Sequence, residues 1–344
     1  MKFKNVSISA MSYHLPEMKI SSEEIEEKLT PIYNKLKLPS GRLELMTGIK
    51  ERRYWEKGTK PSDLSTEAAA NLFKDNNKLK ESDIDLLIHS SVCRDFLEPS
   101  TASIIHNNLK LKNETIFFDL SNACLGVVSS IIVAANMIEM GTIKHALIVS
   151  GENGGPLLFQ TIEHLLNDDS ITRKNIKKHI ASLTIGSAAV AITLSRTDLI
   201  SSGHKIIGSS SMSDTEANIL CQGDGNTNSL MMETDSEKLM EHGITLAKKN
   251  WEKTKEELSW GNNDVDFFIG HQVGIAHETL TNEALGLNSK KSFVTYPTLG
   301  NTGSAALPIT LMQADNKKLI QKNQKIALLG IGSGLNSIML GVEW

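Results

Sequence analysis

The chain has 344 residues, enough for one large core or two fused domains, and its 40% hydrophobic, 22% charged and 5% aromatic content is that of a globular protein rather than a disordered or fibrous one. A net charge of -4 without a basic stripe gives no footing for a nucleic-acid partner, and the cluster Arg173–Lys178 reads as a solvated helix face. Three distant cysteines (Cys93, Cys124, Cys221) with no CxxC pair exclude a zinc knuckle or a disulfide framework and point to a reducing, cytoplasmic setting.

In chain order, the N-terminus lacks the apolar core of a signal peptide. A helical pattern over Leu64–Lys78 precedes the apolar run Asp83–Val92. Glu98 follows in a segment where Pro99 or Ser100 opens a helix, so its carboxylate either complements the helix dipole or serves chemistry. Phe117–Asn122 leads to Cys124, and Val127–Ile138 reads as a buried helix too short to span a bilayer. Lys144–Val149 is a strand, Pro156–Ile180 a polar, mostly helical insertion that is a candidate cap or interface element, and Leu183–Leu194 closes the first half. Ser201–Asn228, rich in Ser, Gly, Asp and Asn, reads as a connecting surface segment. Helix His242–Leu258, strand Asp264–Val273, turn Thr295–Asn301, strand Lys325–Gly330 and strand Gly334–Val342 complete the chain.

This order contains a repeat. Asp85 and Asp266 stand 181 residues apart, as do Lys144 and Lys325, while Asn122 and Asn301 stand 179 apart. The short uninterrupted apolar runs suit strands buried on both faces, so two such units predict two mixed sheets covered by helices, with halves 1–200 and 201–344.

Cys124 lies where a strand ends and an uncharged helix begins. Unpaired N–H groups and the positive end of the helix dipole there favour thiolate, so the expectation is a lowered pKa and a nucleophile. The alternative is a buried structural cysteine. His271 ends a central strand after Gly270, and Asn301 sits in the related turn among small residues. In a duplicated fold both turns meet Cys124 across a pseudo-two-fold axis. Gly330-Ile331-Gly332-Ser333-Gly334 lacks the third glycine and the length of a dinucleotide fingerprint, and reads instead as a loop presenting N–H groups to an oxyanion.

At these residues the chain resembles the β-ketoacyl synthase III branch of the thiolase superfamily. The resemblance rests on Thr47-Gly48-Ile49 with Arg52-Arg53, Asn122-Ala123-Cys124, Gly270-His271-Gln272, Gly300-Asn301-Thr302 and the terminal glycine-rich loop. Within that branch, Arg94–Ser103 and the endings Ala327–Asn336 and Glu343-Trp344 are similar to the olefin-biosynthesis acyl-CoA condensing enzymes. The resemblance implies a five-layer αβαβα homodimer. Cys124 would be the acylated nucleophile, with His271 and Asn301 holding the second thioester carbonyl. The N–H groups of Cys124 and Gly334 would form the oxyanion hole, and Arg52 and Gly300 would contact substrate. Glu98 would reach the partner subunit's site. Two departures stand out: no tryptophan occurs in Pro39–Met46, and the usual His-Gln-Ala-Asn reads His271-Gln272-Val273-Gly274.

Non-decarboxylative condensation must remove a C–H proton, a task for a positioned base worth roughly 10²–10⁴ in rate, and Glu98 supplies one. The expectation is therefore head-to-head Claisen joining of two fatty acyl-CoA (or acyl-ACP) thioesters to a 2-alkyl-3-oxoacyl product. No metal and no cofactor beyond the coenzyme A thioester substrates is expected. The alternatives are a decarboxylative ketoacyl synthase III using malonyl-ACP, an acyltransferase with the same nucleophile, and a non-catalytic partner subunit.

Overall fold

The apolar runs form strands whose two faces feed different cores. The computed structural model describes residues 1–75, 79–226 and 229–344. Up to residue 200 the order is β1 (Val6–His14), β2 (Met18–Ser21), α1 (Ser22–Lys28), α2 (Thr30–Leu36), α3 (Arg42–Thr47), β3 (Glu51–Tyr54), α4 (Pro61–Asp75), β4 (Leu86–His89), α5 (Thr101–Asn108), β5 (Ile116–Asp119), α6 (Gly126–Glu139), β6 (His145–Glu152), α7 (Gly155–Asn167) and β7 (Ala188–Arg196). There follow β8 (His204–Ser213), β9 (Cys221–Asn226), β10 (Ser229–Thr234), α8 (Ser236–Leu258), β11 (Phe267–Gly270), α9 (Ile275–Leu285), α10 (Tyr296–Leu299), α11 (Ala306–Asn316), β12 (Lys325–Gly332) and β13 (Asn336–Glu343). The predicted helix over Leu64–Lys78 is α4, and residues 76–78 lie outside the described residues.

Five layers result. Leu86, Ile88, Ala146 and Ile148 face a central core with Val127, Ile131, Leu307 and Leu311, so α6 and α11 fill the middle of the molecule. From the far side of the same central core come Phe267, Ile269, Ile326 and Leu328. The alternate residues Leu87, Leu147 and Val149 pack outward on Leu64, Leu72 and Ile105 of α4 and α5. In the second half Phe268, Ala327 and Leu329 pack outward with Trp251 and Leu285 of α8 and α9. This two-sided burial is the period-2 alternation of a strand between two helical layers. A separate cluster holds the cap together: Ile25, Leu29 and Leu43 pack on Leu158, Leu165 and Ile176.

The two sheets are joined edge to edge. β1 and β8 share two residue pairs, Ser7 with Lys205 and Ile8 with His204. They thereby form one nine-stranded sheet of order β11-β12-β13-β8-β1-β7-β6-β4-β5. The repeat is visible in single hydrogen bonds. Asp85 Oδ2 accepts the N–H of Lys144 (2.7 Å), and Asp266 Oδ2 accepts that of Lys325 (2.9 Å). The equivalent of β5 in the second half is reduced to one bridge between Phe268 and Ser292.

One reading is corrected. Much of Ser201–Asn228 is not a surface connection, because β8 is an inner strand paired with β1 and β13 (residues 227–228 lie outside the described residues). Its serines mislead because they are satisfied inside: Ser210 Oγ lies 2.8 Å from Asn250 Oδ1 and 2.6 Å from Thr254 Oγ1. Among the described residues no helix is long and apolar enough to cross a membrane.

Candidate active site

Cys124 sits in a 3-10 turn, Ala123–Leu125, between β5 and α6. Ala123 has φ of 45°, a left-handed conformation that few residues with a Cβ adopt, and it swings the chain sharply off the strand. Gly126 then starts α6 where a Cβ would lie 2.5 Å from Ser90 Oγ, so the helix enters tightly against the β4 loop. Asn122 Nδ2 donates to Ser129 Oγ (2.8 Å) and Asn336 Oδ1 (3.2 Å), tying the turn to its own helix and to the other half.

The turn packs against β12 and against a second 3-10 turn, Gly303–Ala305. That second turn opens α11 as the first opens α6, so Ser304 is the structural counterpart of Cys124 at an offset of 180. The expected pairing of Asn122 with Asn301 is therefore one residue off. Asn301 lies just before this turn. Its N–H donates to Thr184 O (3.0 Å), its carbonyl accepts from Gly186 N–H (2.9 Å), and its Oδ1 accepts Gly303 N–H (3.1 Å). With Oδ1 occupied, Nδ2 is the free donor of the amide.

His271 follows β11, and its N–H donates to Leu329 O (3.1 Å) on β12. The next residue of β12, Gly330, is covered by Leu125: a Cβ there would lie 2.5 Å from Leu125 Cδ2. Cys124, His271 and the Asn301 turn are therefore gathered around the same end of β12. Gln272 fixes the His271 loop, accepting Thr295 N–H (2.7 Å) and donating to Gly270 O (2.7 Å). Gly274 stands where the family pattern has an asparagine, and a Cβ there would lie 2.7 Å from Thr47 O. Gly334, with φ of 120°, forms the turn from β12 to β13. Leu335 beside it exchanges backbone hydrogen bonds with Asp214.

The electrostatics reverse one expectation. Burial pushes the Cys124 thiol up to about 12, and the charges of Glu152 and Cys221 push the same way, outweighing the residue's own N–H. The helix proper begins only at Gly126, so the sulfur gains little from its dipole. Burial lowers His271 to about 3 and the nearby His277 to about 4. The site at rest therefore contains a neutral thiol and a neutral imidazole. Cys124 is nonetheless half-buried rather than sealed.

Glu98 lies elsewhere, on an exposed loop with Val92, Phe96 and Leu97. Among the described residues its carboxylate makes no hydrogen bond or ion pair. It does not complement the dipole of α5. That place belongs to Asp119, whose oxygens accept the N–H groups of Thr101 and Ala102 (both 2.8 Å). Burial raises Asp119, but the His89 hydrogen bond and these two donors leave it below its ordinary value.

Arg52 and Gly300, expected as substrate contacts, lie in the interior and pack on each other. Arg52 is 0% exposed, with Nε donating to Leu183 O (3.0 Å) and Nη1 to Ser22 Oγ (2.7 Å). Gly300 presses on it: a Cβ would lie 2.5 Å from Thr184 O and 3.0 Å from Arg52 Cγ.

Sequence reasoning missed Glu152. It ends β6 with only 3% exposure, and its Oε1 accepts the N–H groups of Val92 (2.9 Å) and Ser304 (3.0 Å). The signal was an acid closing an otherwise apolar buried strand. Among the described residues no cluster of His, Cys, Asp and Glu has the arrangement of a metal site.

Comparison with known proteins agrees with this geometry. A family profile for the 3-oxoacyl-[acyl-carrier-protein] synthase III C-terminal region matches residues 256–344, and one for 3-oxoacyl-[acyl-carrier-protein] synthase III matches residues 118–158. The acyl-CoA:acyl-CoA alkyltransferases of Shewanella oneidensis and Xanthomonas campestris are each 37% identical over 100% of both chains. A crystal structure of Xanthomonas campestris OleA with bound lauric acid and lauroyl-CoA superposes with a TM-score of 0.94 at 36% identity, covering 99% of this chain and 100% of the other.

Proposed function

Since the chain belongs to the acyl-CoA:acyl-CoA alkyltransferase family of thiolase-like, acyltransferase-type condensing enzymes, we propose that it joins two fatty acyl-CoA thioesters head to head by non-decarboxylative Claisen condensation. The observation that carries this reading is the meeting of the half-buried Cys124 turn with the turn bearing the Asn301 donor. We read residues 1–200 as the half supplying Cys124, and 201–344 as the half supplying His271 and Asn301.

In the first step Cys124 Sγ attacks the thioester carbonyl of one acyl-CoA. Its thiol is held above the working pH range, so its proton leaves as the C–S bond forms, and the neutral His271 imidazole is the acceptor. Coenzyme A departs with a proton. The second thioester then enters with its carbonyl oxygen on His271 and the Asn301 amide. Glu98 of the partner subunit removes its α-proton, and the carbanion attacks the acyl-Cys124 carbonyl. The N–H groups of Cys124 and Gly334 receive the oxyanion. Collapse expels the Cys124 thiolate, which takes up the proton that Glu98 removed and so restores both groups, and leaves a 2-alkyl-3-oxoacyl thioester.

Assembly as a homodimer is part of the proposal. Ile116 and Phe117 of the edge strand β5 are exposed, as are Phe96 and Leu97 of the Glu98 loop. An unpaired apolar edge is a surface that pairing with a second copy covers. A cytoplasmic setting belongs to the same reading, supported by three cysteines that are all free thiols.

The test is mass spectrometry of products from one long-chain acyl-CoA, using wild type and Glu98→Gln. The proposal requires a 2-alkyl-3-oxo product from wild type, and acylated Cys124 without product from the variant. Release of carbon dioxide from malonyl-ACP, with no product from acyl-CoA alone, selects the decarboxylative reaction instead.

A further inference from the structure

Glu152 is a buried acid that the reaction above does not use. It lies at the end of β6, between the Gly303–Ala305 turn and the start of the loop after β4. Oε1 accepts the N–H of Ser304 (3.0 Å), and the Ser304 hydroxyl lies 2.8 Å from the same oxygen. Ser304 follows Asn301 by three residues in a rigid turn, and Gly303 between them has no room for a side chain against this carboxylate. On its other side, Oε1 accepts Val92 N–H (2.9 Å) and Oε2 accepts Cys93 N–H (3.3 Å). Those residues begin the loop that carries Glu98. A single carboxylate thus fastens the turn that positions the second-substrate donor and the root of the loop that bears the base.

We propose that Glu152 is a positioning residue for condensation, holding the Asn301 turn beside Cys124 of its own chain and the root of the Glu98 loop that serves the partner subunit's site. The inference rests on the condensing reaction proposed above. Each carboxylate oxygen has its own donors: Oε1 takes Val92 and Ser304, Oε2 takes Cys93. An amide cannot serve all of them, because its NH₂ would face an N–H. The Cys124 turn is held separately, through Asn122. Acylation of Cys124 and the later condensation therefore respond differently to the loss of Glu152. The carboxylate charge also bears on the nucleophile. Of the ionisable groups around the Cys124 thiol, Glu152 and Cys221 favour the neutral thiol, and His271, lowered by burial, is neutral.

The experiment uses the full chain with Glu152→Gln and Glu152→Asp, and tetradecanoyl-CoA as the probe. Three quantities are read: single-turnover acylation of Cys124 by intact mass, the rate of 3-oxo product formation, and the pH dependence of Cys124 alkylation by iodoacetamide. Alkylation is resolved by peptide so that Cys93 is counted apart. In Glu152→Gln, acylation stays within about threefold of wild type while condensation falls about 10²-fold, the cost of misplacing a reacting group by about an ångström. The alkylation curve moves to lower pH because the charge is gone. In Glu152→Asp the charge remains and the reach shortens, so condensation falls while the alkylation curve stays in place. A merely structural role lowers acylation and condensation together with the folded fraction; that result overturns the proposal, as does wild-type condensation in either variant. If wild type itself yields no 3-oxo product, the condensing reading fails by that observation alone. An unshifted alkylation curve in Glu152→Gln then overturns the Glu152 proposal as well, and a shifted one upholds its placement against Cys124.

Discussion

Glu152 and Gly303 meet with no space between them: a Cβ on Gly303 would lie 2.7 Å from Glu152 Oε1, and the Gly303 φ of 59° is itself left-handed. Gly303→Ala adds a clash to an unfavourable backbone. It is expected to lower stability by about 1–3 kcal/mol and to slow condensation by displacing the Asn301 amide. Urea unfolding and product formation measure the two effects. A variant as stable and as active as wild type would show that the turn has slack.

Glu98 is exposed and, among the described residues, unpaired, and the proposed reaction has it serve as the base in a second copy. Mixing Cys124→Ala with Glu98→Gln subunits tests this. Each variant alone is inactive. A hybrid dimer has one complete site, and random exchange restores about a quarter of wild-type activity in a symmetric dimer. No recovery after verified subunit exchange places Glu98 in the site of its own chain or outside the reaction.

In the proposed homodimer the edge of β5 is covered by the second copy. Phe117→Glu puts a charge on the exposed apolar edge and is expected to yield monomers by analytical ultracentrifugation. Acylation of Cys124 should persist in them, since every group it uses lies in one chain, whereas condensation should be lost. A stable dimer in this variant moves the interface to another face.

The buried imidazole of His271 links acid to stability. Its folded pKa of about 3 lies below the ordinary 6.5, so between these values the unfolded chain binds the proton and the folded chain does not. Stability is full above pH 6.5 and is lost as pH falls toward 3. Between pH 7 and 4.5 this one residue accounts for on the order of 2 kcal/mol. His271→Gln should flatten the decline in urea midpoint over that window. An equal decline in the variant would assign the acid sensitivity to other groups.

Arg52 is expected to matter for folding rather than for substrate affinity. Arg52→Ala strands the Leu183 carbonyl and leaves a cavity under Gly300, at a cost of about 2–4 kcal/mol. KM for acyl-CoA in the folded fraction should stay near wild type. A large rise in KM with unchanged stability would return Arg52 to the substrate.

Much of the architecture was legible because it follows from local pattern. Uninterrupted apolar runs such as Leu86–His89 and Lys325–Gly332 are strands wherever both faces are covered, and the spacing of Asp85 and Asp266 exposed the duplication. The β8 strand was hidden by the polarity of Ser209–Ser211, because the partners that satisfy a buried hydroxyl come from elsewhere in the chain; only Asn250 and Thr254 on α8 make Ser210 an interior residue.

By itself the sequence determined which chemical groups this protein has and the order in which they recur: a thiol, an imidazole and a carboxamide, each in a turn that follows an apolar run. Only the tertiary structure decided their state and company. The Cys124 thiol rises rather than falls because burial and the Glu152 charge act through space, and Glu152 was invisible because its partners, Val92 and Ser304, are 212 residues apart in the chain. Local pattern is encoded residue by residue, whereas desolvation and charge depend on neighbours that folding alone supplies.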